Sequence, residues 1–150
     1  MKVKVKKLGS DAVIPFKKNA TDFGYDVTAT SVEEVAPNIY KYGTNLAFQI
    51  ERDESSYDEE LLLSLDGRPR SSIWKTGMVL ANSTATIDEQ YNGEVMLVFY
   101  HVMPNMPKYK VGDRIGQIKL GFSQAVEFEE VEELNETERG DGGFGSTGLN

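Results

Sequence analysis

The sequence predicts an all-β fold, a distorted β-barrel or jelly roll with one short helix and a flexible Gly-rich C-terminal tail. Three observations predict it. Short runs rich in aliphatic, β-branched and aromatic residues recur roughly every 10–15 residues. Helical periodicity is poor along the whole chain. The length of 150 residues fits one domain with a sizeable core.

The elements follow in order. VKVKKL (3–8) alternates apolar and basic residues, as a half-buried strand does. VIPF (13–16) is interrupted by Pro15, which places it at a sheet edge. YDVTA (25–29), NIYKYGTNLAFQI (38–50) and ELLLSL (60–65) read as strands, with ERDESSYDEE (51–60) a polar surface loop. RSSIWKTG (70–77) is the best helix candidate, worth about two turns. MVLAN (78–82) and EVMLVFYHV (94–102) follow. The latter is apolar at nearly every position, which predicts burial on both faces. ANSTATIDEQYNGEVML (81–97) would form a hairpin. RIGQIKL (114–120) and AVEFEEV (125–131) complete the strands. Five of the nine residues 140–148 are glycine, so this tail loses much backbone entropy on ordering. The expected organisation is a β domain over 1–134 and a linker and flap over 135–150.

Composition excludes several chemistries. Sixteen Lys and Arg against 24 Asp and Glu give a net charge of −8, which argues against a nucleic-acid polymer as partner. With no cysteine and one histidine, His101, thiolate catalysis and Cys/His zinc centres are absent. Acid–base work falls to a carboxylate, a tyrosine, a lysine or metal-bound water. No apolar run reaches the length of a membrane span, and MKVKVKKLGS lacks a signal-peptide core, so a cytoplasmic location is expected.

Five segments carry candidate chemistry. RGDGGFGSTG (139–148) has the glycines and hydroxyls of a phosphate cradle but lacks the lysine of a nucleotide-binding P-loop. Its arginine, ring and hydroxyls suit a flap over a planar, anionic ligand, or else form a free tail. Arg70, Ser71 and Ser72 in GRPRSSIWKTG (67–77) form an anion pocket at a turn, or else a helix cap beside a surface arginine. In 81–97, Asp88 is the best candidate for a general base, though an aspartate in a turn is more often a structural residue. DFGYDVTA (22–29) and GDRIGQ (112–117) read as turns followed by strands, with Asp113 capping its turn.

Together and in this order, DFGYDVTA, PRSS, TIDEQYNG, GDRIGQ and RGDGGFGSTG resemble the five signature motifs of the trimeric dUTP pyrophosphatases (dUTPases). The resemblance runs from about residue 22 to 148. Phe23, Ser72, Ala85, Asn92 and Gly116 depart from the usual pattern. The resemblance implies a homotrimer in which each site draws motifs one, two and four from one subunit, motif three from a second and the tail from the third. It implies magnesium-assisted, in-line hydrolysis of dUTP to dUMP and pyrophosphate, which limits uracil in DNA and supplies dUMP for thymidylate. Mg2+ would be bound by the phosphates with no direct protein ligand. Asp26 would either hold a magnesium-bound water or serve as a buried ion pair.

By the same resemblance, Asp88 orients the attacking water. Tyr91 stacks on the deoxyribose and rejects a ribose. Asn82, with Thr86 and Ile87, reads the uracil, and Met96 touches base or sugar. Arg70, Ser71, Ser72 and Gln117 grip the phosphates. Arg139, Phe144, Gly145, Ser146 and Thr147 close last. His101 is expected to be structural. The rival on a similar fold is dCTP deaminase, whose catalytic glutamate position is matched here by Val98. A non-catalytic regulatory protein is the other alternative, and loop 51–60 is where an additional protein partner would bind.

Overall fold

The computed structural model describes residues 1–53 and 60–143. Residues 54–59, most of the segment expected above to be a polar surface loop, lie outside the described residues, as do Phe144, Gly145, Ser146 and Thr147. Ten strands are described: β1 Lys2–Lys7, β2 Tyr25–Thr28, β3 Ser31–Ala36, β4 Ile39–Gly43, β5 Leu46–Glu51, β6 Leu61–Arg68, β7 Met78–Leu80, β8 Ala85–Asp88, β9 Met96–His101 and β10 Arg114–Gln124. They pair as β1-β5, as β2-β10-β6-β8 and as β3-β4-β9-β7. The fold is all-β and of jelly-roll type. Among the described residues the three sheets do not join into one closed, hydrogen-bonded barrel. No helix among them is long and apolar enough to cross a membrane.

The sheets enclose one core. Val27 of β2, Tyr42 of β4, Leu46 of β5, Leu97 and Phe99 of β9 and Ile115 of β10 are all fully buried. Tyr42, Phe99 and Tyr109 meet edge to face, with centroids 5.4–6.2 Å apart, the geometry that aligns ring edges with π faces. The Tyr42 hydroxyl donates to the Tyr109 carbonyl at 2.9 Å, and the Thr44 hydroxyl to the Val95 carbonyl at 2.7 Å. Both bonds satisfy polar groups that would otherwise be costly inside the core.

Several expectations need correction. The run 38–50 is two strands, because Asn45 takes a left-handed φ of 52° between β4 and β5. VIPF (13–16) forms no strand, only a single bridge from Phe16 to Asp26. The helix over 70–77 is a 3-10 turn, Ser71–Lys75. Residues 81–97 are not a hairpin, since β8 pairs with β6 while β9 pairs with β4 and β7. Strand β9 buries one face in this chain. Leu97 and Phe99 point into the core, while Met96 and Tyr100 are exposed. Residues 125–131 form no strand. The ladder of β10 with β6 ends at Gln124 opposite Leu61, the first residue of β6, and one further bond joins the Ala125 amide to the Glu60 carbonyl at 2.6 Å. Strand β3, SVEEVA, escaped the sequence reading because its pairing with β4 uses backbone groups beneath mostly exposed side chains.

Burial raises the Tyr42 phenol to about 12, above its ordinary 10. The folded state therefore holds the proton more tightly than the unfolded chain. The stabilisation is complete below pH 10 and is lost as pH rises from 10 to 12, on the order of 2 kcal/mol. Tyr42→Phe should lose about 1 kcal/mol at pH 8 through the missing hydrogen bond. Urea unfolding should also find a flatter pH dependence between 10 and 12 in the variant. An identical slope in both proteins would contradict this assignment.

Candidate active site

Two groups of candidate residues sit on opposite sides of β6, one across β10 toward β2 and the other at β8. At the C-terminal end of β6, Arg68 is opposite Gln117 of β10, and Gln117 is opposite Asp26 of β2. Asp26 is 7% exposed and fully engaged. It accepts from Arg70 Nε at 3.1 Å, from Gln117 Nε2 at 3.0 Å and from Arg114 Nη1 at 2.7 Å. Arg70 arrives there because the chain leaves β6 through Pro69, and its Nη1 also lies 3.5 Å from the Ser72 hydroxyl. Ser71 is exposed at the start of the 3-10 turn.

Arg114 and Gln117 are three residues apart, which in a regular strand would send them to opposite faces. The register shifts between Arg114 and Gly116. That bulge inserts one residue and returns both side chains to the face of Asp26. Gly24 completes the packing, because a Cβ there would stand 2.9 Å from Gln117 Cβ. The result is a cleft of about 270 Å³ lined by Lys17, Lys18, Asp22, Asp26, Arg70, Arg114 and Gln117. Cations outnumber carboxylates in it, despite the acidic chain as a whole. Arg114 and the two lysines were missed by sequence reasoning. Arg114 had a signal, its place inside GDRIGQ; Lys17 and Lys18 lie outside the motifs. Asp113 caps its turn as expected, accepting the Lys110 amide at 2.7 Å.

The second group lies beside β8. Asn82, Ala85, Thr86, Ile87, Asp88, Tyr91, Glu94, Val95 and Met96 line a cleft of about 240 Å³. The Tyr91 amide bonds to the Asp88 carbonyl at 2.9 Å, which closes a turn. The Tyr91 hydroxyl folds back onto the Glu94 carbonyl at 3.0 Å. A Cβ on Gly93 would overlap that hydroxyl, so glycine is needed for the fold-back. Glu94 is occupied, accepting the Asn45 amide at 2.8 Å. Asp88 differs: it is exposed, and among the described residues its carboxylate makes no hydrogen bond or ion pair.

One chain does not bring the two groups together. Asp88 is opposite Ser64, four residues before Arg68 on β6. Four residues at about 3.3 Å each and three strand spacings of about 4.8 Å separate the Asp88 backbone from that of Asp26 by roughly 20 Å. Arg139 joins neither group; its Nε donates to the Gly142 carbonyl within the tail at 2.9 Å. His101 is placed structurally, with Nε2 3.0 Å from the Met106 carbonyl and its ring edge-on to Tyr40. Asp26→Asn should cost about 2–3 kcal/mol, because it weakens charged hydrogen bonds at a buried group. Urea midpoints at pH 7 test this, and an unchanged midpoint would show that the guanidinium contacts contribute nothing.

The dUTPase family model matches residues 10–148. The deoxyuridine 5'-triphosphate nucleotidohydrolase of Nautilia profundicola is 37% identical over 150 residues, 99% of each chain. That of Helicobacter pylori strain P12 is 33% identical over 99% of this chain and 98% of its own. Among solved structures, a Staphylococcus bacteriophage 80alpha dUTPase with dUpNHpp superposes with a TM-score of 0.75 at 25% identity, over 99% of both chains. With the motif residues gathered as described and the match spanning nearly its full length, the chain belongs to the dUTPase family.

Proposed function

We propose that the chain hydrolyses dUTP to dUMP and pyrophosphate, with Asp88 directing the attacking water. The observation that carries this is the contrast between two carboxylates. Asp26 is held between two guanidiniums and the Gln117 amide, so both of its oxygens are already engaged. Asp88 is open in a cleft with its lone pairs unengaged among the described residues. A general base must reach a water and accept its proton, and only the second is placed to do so. Relatives named deoxyuridine 5'-triphosphate nucleotidohydrolase at 33–37% identity support the substrate.

Asn82 and the Thr86–Ile87 backbone are suited to read a uracil edge. Tyr91 offers its ring to the sugar, and Met96 closes the side of the cleft. The cationic cleft of Arg70, Arg114 and Gln117, with Ser71 and Ser72 nearby, suits a triphosphate, where charge neutralisation lowers the barrier most. The roughly 20 Å between the Asp88 and Asp26 backbones supports assembly of the site from different subunits, and a homotrimer with the tail of a third subunit closing over it is the arrangement we favour. In that arrangement Arg139, Phe144, Gly145, Ser146 and Thr147 cover the nucleotide.

Mg2+ fits this donor set as a substrate-borne ion. Among the described residues no three acidic or histidine side chains gather as a metal cage, whereas an ion held by phosphate oxygens needs only an outer acceptor for its waters, and Asp26 lies in the phosphate-suited cleft. When bound, the ion would neutralise the phosphate charge. Deamination is disfavoured because Val98 supplies no acid–base group. Cleavage by a soluble enzyme of this kind would keep uracil out of DNA and provide dUMP.

Asp88→Asn should lower kcat by about 10²–10⁴-fold while a non-hydrolysable dUTP analogue still binds. Pyrophosphate release should favour dUTP over dCTP by about 10⁴-fold, since mispaired buried groups penalise cytosine, and over UTP through the packing of Tyr91 on the deoxyribose. A kcat within a few-fold of wild type in Asp88→Asn, or equal rates on UTP, would contradict the proposal.

A further inference from the structure

The residue after the proposed base is ion-paired to an arginine that lines neither cleft. Glu89 Oε1 accepts from Arg52 Nε at 2.7 Å, and Glu89 Oε2 from Arg52 Nη2 at 2.6 Å. The pair is bidentate and mostly shielded, with side chains 17% and 26% exposed. Paired, parallel N–H···O contacts fix orientation as well as distance. Arg52 Nη2 also donates to the Leu61 carbonyl at 2.7 Å. Arg52 thus clamps the end of β8 to the first residue of β6, at the edge of the sheet.

The placement matters because β8 is only four residues long. Its last ladder partner is Ser64, opposite Asp88 itself. Beyond that point the chain turns at once, through the bond from the Tyr91 amide to the Asp88 carbonyl. Strand ends fray where the ladder stops, and Asp88 occupies that end. The bidentate Arg52–Glu89 pair extends the restraint one residue past the ladder. The Arg52 hydrogen bond holds the Glu89 carboxyl below its ordinary range, so the pair stays ionised through neutral pH.

We propose that Arg52 is a positioning residue, which sets the direction of the Asp88 carboxylate by holding Glu89 against the start of β6. The inference rests on Asp88 being the base. Arg52 lies outside the five motif segments and outside both clefts.

The test uses the full-length enzyme with Arg52→Met, Arg52→Lys, Glu89→Gln, the Arg52→Met/Glu89→Gln double variant and Asp88→Asn in parallel. Misaiming a base by a fraction of a bond length lowers turnover more than binding. Arg52→Met and Glu89→Gln should each lose about tenfold in kcat with KM within about twofold. The double variant should fall no further than the worse single one, because both break the same link. Arg52→Lys, which keeps the charge and one contact, should recover part of the loss. Affinity for dUpNHpp should stay within twofold, which separates misaiming from unfolding. Full kcat in either single variant at a temperature where it is folded, with only a lower melting temperature, would overturn the proposal. So would parallel losses of kcat and analogue affinity. If Asp88→Asn is inactive while the Arg52 variants run at full rate, the clamp alone falls. Full turnover by Asp88→Asn would sink both readings.

Discussion

Strand β6 pairs on one side with β10 along its whole length and on the other with β8 along its middle. Backbone hydrogen bonds fix these registers, and they set where every candidate side chain stands. Arg68 marks the end at which Gln117, Asp26 and Arg70 converge. Ser64 marks the position of Asp88, and Leu61 the point where Arg52 is anchored. A slip of one residue would turn each of these side chains to the opposite face. The separation of the two clefts is therefore built into the ladder and does not depend on loop conformation.

The two clefts also differ in chemistry for physical reasons. Near Asp26, partial burial and two guanidiniums create a positive environment within a chain of net charge −8. That local field acts over a few ångströms, whereas the distributed negative charge is screened beyond about a Debye length. At Asp88 the carboxylate meets solvent, and the neighbouring Tyr91 and Met96 offer apolar surface to a planar ligand. A charged phosphate tail suits the first environment, and a base with its deoxysugar suits the second. The proposed shared site brings the two environments to one nucleotide by facing clefts from different chains.

Much of this was legible in the sequence, and the exceptions share a cause. The cleft residues Asn82, Thr86, Ile87, Asp88, Tyr91 and Met96 come from one contiguous segment, so a resemblance carried by that segment could collect them. The long strand β10 and the Asp113 cap were legible through alternation and turn chemistry. The missing pieces depend on pairing between distant segments. Arg114 reaches Asp26 only because of a bulge, and a bulge depends on the partner strand. Arg52 and Glu89 are 37 residues apart. Strand β3 is held by backbone bonds to β4, under a sequence with two adjacent glutamates. Strand β9 looked buried on both faces because an apolar run does not say how many layers will cover it.

Subunit complementation tests the central claim most directly. Chains carrying Asp88→Asn and chains carrying Arg70→Ala, each inactive alone, are unfolded together, refolded as a mixture and assayed for pyrophosphate release from dUTP. If the two clefts of each working site come from different chains, random assembly should restore about one quarter of wild-type activity. A mixture no more active than its components would show that a single chain supplies both halves.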